Sequence, residues 1–180
     1  MQTVKMVVTG PFAAGKTEFI RTISEIDVVS TERKITSEAE RIKDVTTVAM
    51  DFGRITVDEE LVLYLFGTPG QKRFDFMWEI LSEGMLGFIV IVDSARPETF
   101  REARGILDTF RGYAETPYVI AANKQDHEDA WSPDDLRIAL KISKDIKVLP
   151  CVANDKDMVK GVLLELLYSI LETMDLEDAS

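Results

Sequence analysis

Residues 10–17 hold the clearest chemical pattern in this chain. They read Gly10-Pro11-Phe12-Ala13-Ala14-Gly15-Lys16-Thr17 and fit the phosphate-binding loop G-x-x-x-x-G-K-[ST]. In such a loop, backbone N–H groups surround phosphate oxygens at the positive end of the following helix. Lys16 would reach the outer phosphates, and the Thr17 hydroxyl would ligate Mg²⁺ bound to them. The alternative is a glycine turn with a surface lysine, but chance gives this match in under about 1% of such chains.

A second polar motif follows a strand predicted at residues 118–122 and reads Asn123-Lys124-Gln125-Asp126. Ligands in open α/β sheets lie beyond the carboxyl ends of the strands. An aspartate there can accept hydrogen bonds from N1–H and the amino group of guanine, whereas adenine would leave the carboxylate unpaired. Chance alone gives N-K-x-D in about 2% of chains this size, and the alternative is a solvated polar turn. Together with residues 10–17, the motif predicts guanine recognition.

Alternating strands and helices must position these two motifs. Residues 3–9 predict a buried strand before the phosphate loop, and residues 18–23 predict the helix after it. Further apolar runs predict a hairpin of 47–57 with 61–66, strands at 85–92 and 148–149, and helices beginning near Phe74, Pro97, Ser132 and Val159. We therefore predict one α/β domain over residues 1–180. Its sheet should have about six mostly parallel strands with helices on both faces.

Two segments lack a clean sheet or helix period. Residues 30–44 are charged and almost without apolar residues, which predicts a long loop that is either functional or a disordered surface excursion. Gly67-Thr68-Pro69-Gly70-Gln71 interrupts the sheet pattern before the predicted helix at 74–81. In that helix one set of apolar residues recurs at helical spacing, while Phe76 and Ile80 lie on another side. We interpret one face as packed and the other as available to a partner, the alternative being that both are core.

Composition limits the classes of function. A net charge of −11 argues against nonspecific binding to nucleic acid or to an anionic membrane. Cys151 is the only cysteine, which excludes an internal disulfide and suits a reducing cytosol. We see no run of 18 apolar residues, signal peptide, myristoylation glycine or prenylation cysteine. The expectation is a cytoplasmic protein without a direct membrane anchor.

The motifs, in this order and spacing, resemble the Ras superfamily of small GTPases over essentially the full chain. Residues 46–53 and 65–71 are similar, more narrowly, to prokaryotic MglA-like GTPases that accompany roadblock-domain proteins. The resemblance implies a P-loop GTPase fold, GTP or GDP with Mg²⁺, and slow, partner-stimulated hydrolysis that releases switch loops 30–47 and 67–84. It also implies a roadblock-domain regulator, with an oligomeric state left open. We predict Phe74, Phe76 and Trp78 as its contact surface.

The resemblance also implies residue roles. Thr47, with Thr46 as its rival, would close on Mg²⁺ and the γ-phosphate. The Gly70 N–H would meet that phosphate, and Gln71 would orient the attacking water beside Lys16. Val152-Ala153-Asn154 takes the place of the S-A-K turn, with the Ala153 N–H facing the guanine carbonyl. The predicted metal ligands are Thr17 and Thr47, and the predicted nucleotide contacts are Phe12, Ala13, Ala14, Gly15, Lys16, Thr17, Glu18, Thr47, Gly70, Asn123, Lys124, Asp126, Val152, Ala153 and Asn154.

Two positions depart from the family pattern. Gly67 stands where the family has an aspartate that holds Mg²⁺ through water, so Mg²⁺ should bind more weakly unless Asp51 or Asp93 substitutes. Phe12 should obstruct an arginine inserted by a partner, so replacing every interface arginine of that partner should leave stimulated hydrolysis intact. An arginine of this chain could act instead, the candidates being Arg33, Arg41 and Arg54.

Two other functions compete with a hydrolysing switch. One is a GTP-loaded binding scaffold with little or no hydrolysis, because Gly67 and Phe12 would impair the site. The other is a P-loop kinase for a small molecule, which would leave residues 123–126 unexplained.

Overall fold

A computed structural model describes residues 1–35, 46–70 and 74–179, with backbone positions alone for 29–35 and 46–50. Seven strands form one sheet in the order β2-β3-β4-β1-β5-β6-β7. The strands are β1 (Gln2–Thr9), β2 (Val29–Ile35), β3 (Thr46–Thr56), β4 (Leu61–Gly67), β5 (Gly87–Asp93), β6 (Tyr118–Asn123) and β7 (Val148–Pro150). Pairing is antiparallel for β2–β3 and β3–β4 and parallel across the rest of the sheet. The predicted α/β class and mostly parallel sheet are confirmed.

The seventh strand, β2, was not predicted. Val29–Ile35 pairs with β3 along its whole length, and Ile35 lies opposite Thr46. The prediction that residues 30–35 belong to a loop is therefore wrong, and Thr46 and Thr47 likewise belong to β3. An edge strand is held by backbone hydrogen bonds to one neighbour and is commonly rich in charge, so its sequence need not show an apolar face. Residues 36–45 of the predicted switch loop lie outside the described part of the chain.

Among the described residues, five α-helices cover the sheet, and the two faces have separate apolar cores. The helices are α1 (Lys16–Ile23), α2 (Phe76–Ser82), α3 (Phe100–Tyr113), α4 (Pro133–Ala139) and α5 (Lys156–Ala179), and a 3-10 turn (Pro97–Thr99) precedes α3. Ile89 and Ile91 of β5 pack into the core formed with α1 and α5. Phe88, Val90 and Val92 pack into the core formed with α2, α3 and α4. This alternation explains why β5 is apolar at consecutive positions.

Helix α4 begins as the sequence predicts. Pro133 occupies its first turn, and the Ser132 hydroxyl accepts a hydrogen bond from the Asp135 N–H at 3.1 Å. Within the described residues, no helix combines the length and apolar character needed to cross a membrane.

Candidate functional site

The phosphate loop connects β1, which ends at Thr9, to α1, which begins at Lys16. The loop turns through left-handed backbone at Gly10, with φ of 147°, and at Ala13, with φ of 63°. A side-chain carbon at Gly10 would lie 2.2 Å from the Ile91 carbonyl oxygen of β5, so only glycine allows the loop to pass this close to the sheet. The result is a loop that curls over the carboxyl end of the sheet and directs the N-terminus of α1 towards a ligand.

Lys16 lies across this loop with its ammonium group buried. Its Nζ donates hydrogen bonds to the carbonyl oxygens of Gly10, at 2.7 Å, and Pro11, at 2.8 Å. Burial lowers the pKa of Lys16 to about 8, although the charges of Glu102 and Asp51 act in the opposite direction. The cation is therefore held by neutral acceptors at a place where phosphate oxygens could replace them.

The phosphate cleft is a depression of about 390 Å³ beside Lys16, and it contains most of the predicted phosphate-contacting residues. Its lining consists of Phe12, Ala13, Gly15, Lys16, Thr17, Glu18, Arg21, Asp51, Thr68, Pro69 and Gly70. Arg21 was not predicted, although its position four residues after Thr17 on α1 places the two on one side of the helix. Ala14 is buried, and its carbonyl group accepts a hydrogen bond from the Asn123 side chain.

The segment after β4 forms the opposite wall of the phosphate cleft. The Thr68 N–H donates to the Val8 carbonyl at 3.0 Å, which ties this segment to β1. The Trp78 indole N–H donates to the Pro69 carbonyl at 3.1 Å and fixes the turn from the side of α2. A side-chain carbon at Gly70 would lie 3.0 Å from Lys16 Nζ, so the Gly70 backbone closely approaches the buried cation.

The base cleft, of about 290 Å³, brings together the predicted base contacts from distant parts of the chain. Its lining consists of Gly15, Glu18, Asn123, Lys124, Asp126, Val152, Ala153 and Asn154. Gly15 and Glu18 line both clefts, so the two are adjoining parts of one site. The site can therefore hold a ligand that has phosphates at one end and a polar ring at the other.

Asn123 connects the two clefts. It is 2% exposed, and its Nδ2 donates to the Ala14 carbonyl at 2.8 Å while its Oδ1 accepts from the Ala153 N–H at 2.9 Å. The side chain thus braces the phosphate loop against the turn after β7.

This arrangement corrects the role predicted for Ala153. Because its N–H is bonded to Asn123, that group does not face a ligand. The N–H groups on either side of it, those of Val152 and Asn154, donate no hydrogen bond within the described chain, and both residues border the base cleft. Asp126 is exposed in the same cleft, and Lys124 lies with its Nζ 3.4 Å from Asp93 Oδ2.

Two predicted switch residues cannot be placed against a ligand. Gln71 lies outside the described residues. Thr47 is in β3 opposite Lys34, where only the backbone is described. Their roles, and that of Thr46, stay predictions.

Helix α2 has the predicted division into two faces, but the contact surface predicted on it is partly wrong. Phe74 and Trp78 are buried, and the Trp78 ring packs 5.7 Å from that of Phe110. Phe76 and Ile80 are 60% and 62% exposed. Of the three aromatic residues predicted to contact a partner, only Phe76 is accessible, because Phe74 and Trp78 are buried.

The phosphate cleft contains side-chain oxygen atoms of the kinds that ligate Mg²⁺. The Thr17 hydroxyl donates to the Asp51 carboxylate at 2.5 Å, and hydroxyl and carboxylate oxygens are the ligand types that Mg²⁺ prefers. Among the described residues, no three His, Cys, Asp or Glu side chains cluster as a metal site. A magnesium ion at Thr17 would therefore need phosphate oxygens to complete its coordination.

Arg54 and Cys151 are not brought to this cleft. Arg54 pairs with Glu25 at 3.1 Å and does not line the phosphate cleft. The side chain of Arg33 and the whole of Arg41 are outside the described parts of the chain. Cys151 is buried, and burial raises the pKa of its thiol to about 12, as expected of an unreactive core cysteine.

Comparison with known proteins gives one family match and several relatives. The family described as "Conserved hypothetical ATP binding protein" matches residues 8–180. An uncharacterized protein of Methanocaldococcus jannaschii is 34% identical over 126 residues, which cover 70% of this chain and 73% of that protein.

Eukaryotic relatives are more distant. The Ras-related protein SEC4 of Saccharomyces cerevisiae is 28% identical over 136 residues, or 73% of this chain and 63% of that protein. The ADP-ribosylation factor-like protein 14 of Mus musculus is 26% identical over 111 residues, or 59% of this chain and 57% of that protein. The matches therefore span less than two thirds of these two relatives.

Proposed function

We propose that this chain, which belongs to the family described as "Conserved hypothetical ATP binding protein", is a small GTPase of the MglA-like type. It binds GTP, hydrolyses it to GDP with Mg²⁺, and signals which nucleotide is bound. The observation that carries this proposal is the junction of the phosphate cleft with the base cleft through Gly15 and Glu18. The similarity to Ras-related and ADP-ribosylation factor-like proteins supports it.

The choice of guanine over adenine follows from the polarity of the base cleft. Asp126 offers a carboxylate, which matches the N1–H and 2-amino donors of guanine. Adenine has a ring acceptor at N1 and no amino group at C2. The lone pair of its N1 would therefore face a lone pair of the Asp126 carboxylate, and no hydrogen bond would form. A free N–H of Val152 or Asn154 suits the guanine carbonyl at C6, where adenine carries a donor instead. Mismatches of this kind discriminate by about 10⁴-fold, which favours guanine despite the family's description.

The residues around the phosphates divide the work of hydrolysis. Lys16 would exchange the Gly10 and Pro11 carbonyls for phosphate oxygens and neutralise the charge that grows on the leaving group. Magnesium, when bound with the nucleotide at Thr17, would withdraw further charge from the phosphates. Gln71 would orient a water whose oxygen attacks the γ-phosphorus. The bond from that phosphorus to GDP breaks, and the water proton passes to the released phosphate.

The switching surface includes residues 36–47 and the segment from Gly67 to Gly84. A roadblock-domain regulator would read this surface through exposed apolar side chains. Phe76 and Ile80 provide such a face on α2, and Phe12 is exposed at the phosphate cleft. Replacing Phe76 and Ile80 with serine should abolish co-purification with that regulator while GDP affinity stays unchanged. Equal co-purification would remove this face from the proposal.

The base is tested by changing Asp126 to Asn. The amide keeps one acceptor for N1–H and places a donor where the 2-amino group of guanine would lie. Calorimetric titration should show that the native protein binds GDP about 10³-fold or more tighter than ADP. Asp126→Asn should lose GDP affinity and gain affinity for xanthosine diphosphate, whose C2 carbonyl accepts from the new amide.

Asp129→Asn is the matched control, because Asp129 is an exposed acid three residues further along that does not line the base cleft. It should leave the preference for GDP intact. Competition by ADP equal to that by GDP, or an unchanged preference in Asp126→Asn, would overturn the proposal.

Gly67 favours one alternative, a scaffold that holds GTP with little hydrolysis. Multiple-turnover release of phosphate from GTP separates the two functions, because a scaffold would release no more than one equivalent per protein molecule. Sustained release that depends on Lys16 would support the hydrolysing switch.

A further inference from the structure

We propose that Asp51 does from β3 what an aspartate at position 67 would do from β4. It orients the Thr17 hydroxyl and supplies the buried negative charge beside the Mg²⁺ of the bound nucleotide. This role presupposes the guanine-nucleotide site proposed above, and it identifies a positioning residue that the motif spacing leaves undefined.

The register of the sheet places Asp51 directly against the missing side chain. Asp51 of β3 and Gly67 of β4 are opposite each other in the antiparallel ladder. A side-chain carbon at Gly67 would lie 3.1 Å from Asp51 Cβ and 3.4 Å from Asp51 Oδ2. The Asp51 carboxylate therefore occupies the volume that a side chain at position 67 would enter, and the neighbourhood has room for one acid.

The contact with Thr17 gives Asp51 a defined orientation. Asp51 is 9% exposed, lines the phosphate cleft, and accepts the Thr17 hydroxyl hydrogen at Oδ2. Because that hydrogen is directed to the carboxylate, the lone pairs of the Thr17 oxygen are left to face a cation. A carboxylate that orients a metal ligand in this way also raises the negative potential at the metal.

The other candidate acid is committed elsewhere. Asp93 ends β5, where its Oδ1 accepts from the Ala95 N–H at 3.0 Å and its Oδ2 lies 3.4 Å from Lys124 Nζ. Asp93 does not line the phosphate cleft and instead supports the loop that carries the base motif. Of the two acids that the sequence left open, only Asp51 reaches Thr17.

The test measures how the retention of a fluorescent GDP analogue by the full chain depends on the Mg²⁺ concentration. Asp51→Asn keeps the size and an acceptor for Thr17 but removes the charge. Its half-maximal Mg²⁺ concentration for retention should rise by about tenfold or more, as for other residues that orient metal ligands. Binding of GDP in EDTA should stay near that of the native protein. Glu59→Gln, an exposed acid in the turn between β3 and β4, should change neither quantity.

A second variant, in which the residues at positions 51 and 67 are exchanged, keeps the test informative if Asp51→Asn fails to fold. Asp51→Gly combined with Gly67→Asp returns one acid to the neighbourhood from the other strand and should restore the Mg²⁺ requirement towards the native value. Gly67→Asp alone should not improve retention, because Asp51 and Ile20 already fill the space. An unchanged Mg²⁺ requirement in Asp51→Asn, or no restoration in a folded exchange variant, would overturn the role of Asp51. Failure of the native protein to bind GDP at saturating Mg²⁺ would instead overturn the proposed function.

Discussion

Lys16 is still protonated at pH 7, although burial lowers the pKa of its ammonium group. Burial lowers its pKa from 10.5 to about 8, and the negative charges of Glu102 and Asp51 compensate only in part. Because the unfolded chain holds the proton more tightly, the desolvation penalty is fully present below pH 8 and is relieved as the pH rises towards 10.5. A bound phosphate would reverse this balance by favouring the ammonium form.

Proton uptake on binding GDP should therefore appear above the lowered pKa. At pH 7 Lys16 is already charged and little uptake is expected, whereas at pH 9 binding must return a proton to it. The apparent affinity for GDP should fall by up to about tenfold per pH unit above the lowered pKa. Calorimetry in two buffers of different ionisation enthalpy measures the uptake directly.

Lys16→Arg supplies the control, since a guanidinium group stays protonated at pH 9. Proton uptake at pH 9 should disappear in this variant. Equal uptake in the two proteins would mean that another group takes up the proton.

At the scale of the elements, the sequence predicted those strands and helices that have a periodic pattern of apolar side chains. The consecutive apolar residues at 85–92 indicated strand β5, and Ser132 indicated the start of α4. Strand β2 was missed because its ladder to β3 is made by backbone groups that leave no apolar pattern.

The site was predicted to the level of its motifs and not to that of single atoms. The choice between Asp51 and Asp93 depends on strand register, which motif spacing does not specify. Which N–H groups of residues 152–154 are left free depends on how this turn meets the Asn123 side chain. In α2, both faces carry aromatic residues, so only packing against Phe110 decided that Trp78 is inside.

The packing of α1 on β3 depends on Gly53. A side-chain carbon there would lie 2.6 Å from Ile20 Cγ2 and 3.2 Å from Ser24 Cβ. Gly53→Ala should therefore lower the free energy of unfolding by about 1–3 kcal/mol, because α1 must move away from the sheet. Denaturant titration should show a lower midpoint with an unchanged slope.

Gly161→Ala is the matched control, because Gly161 lies in α5 with open space around it. The alanine should stabilise the fold by about 0.5–1 kcal/mol through its higher helix propensity. Equal stability of Gly53→Ala and the native protein would show that α1 is not packed tightly on β3.

At the scale of the whole molecule, the order of strands brings separate segments to one edge. β1 and β6 both flank β5, so the loops that follow these strands are neighbours at the carboxyl edge of the sheet. Asn123 then joins Ala14 and Ala153, which lie 109 and 30 residues away along the chain. The phosphate and base clefts should consequently respond together when this side chain is removed.

Asn123→Ala should weaken both halves of the site. It leaves the Ala14 carbonyl and the Ala153 N–H unpaired in a buried place, which costs about 1–3 kcal/mol for each group. Because Ala14 belongs to the phosphate loop, the affinity for inorganic pyrophosphate, which reaches only the phosphate cleft, should fall together with that for GDP. Gln125→Ala removes hydrogen bonds to Ser94 and Trp131 and should lower stability while pyrophosphate affinity is kept. If Asn123→Ala weakened GDP binding alone, the clefts would be independent, and the sheet edge would merely place them side by side.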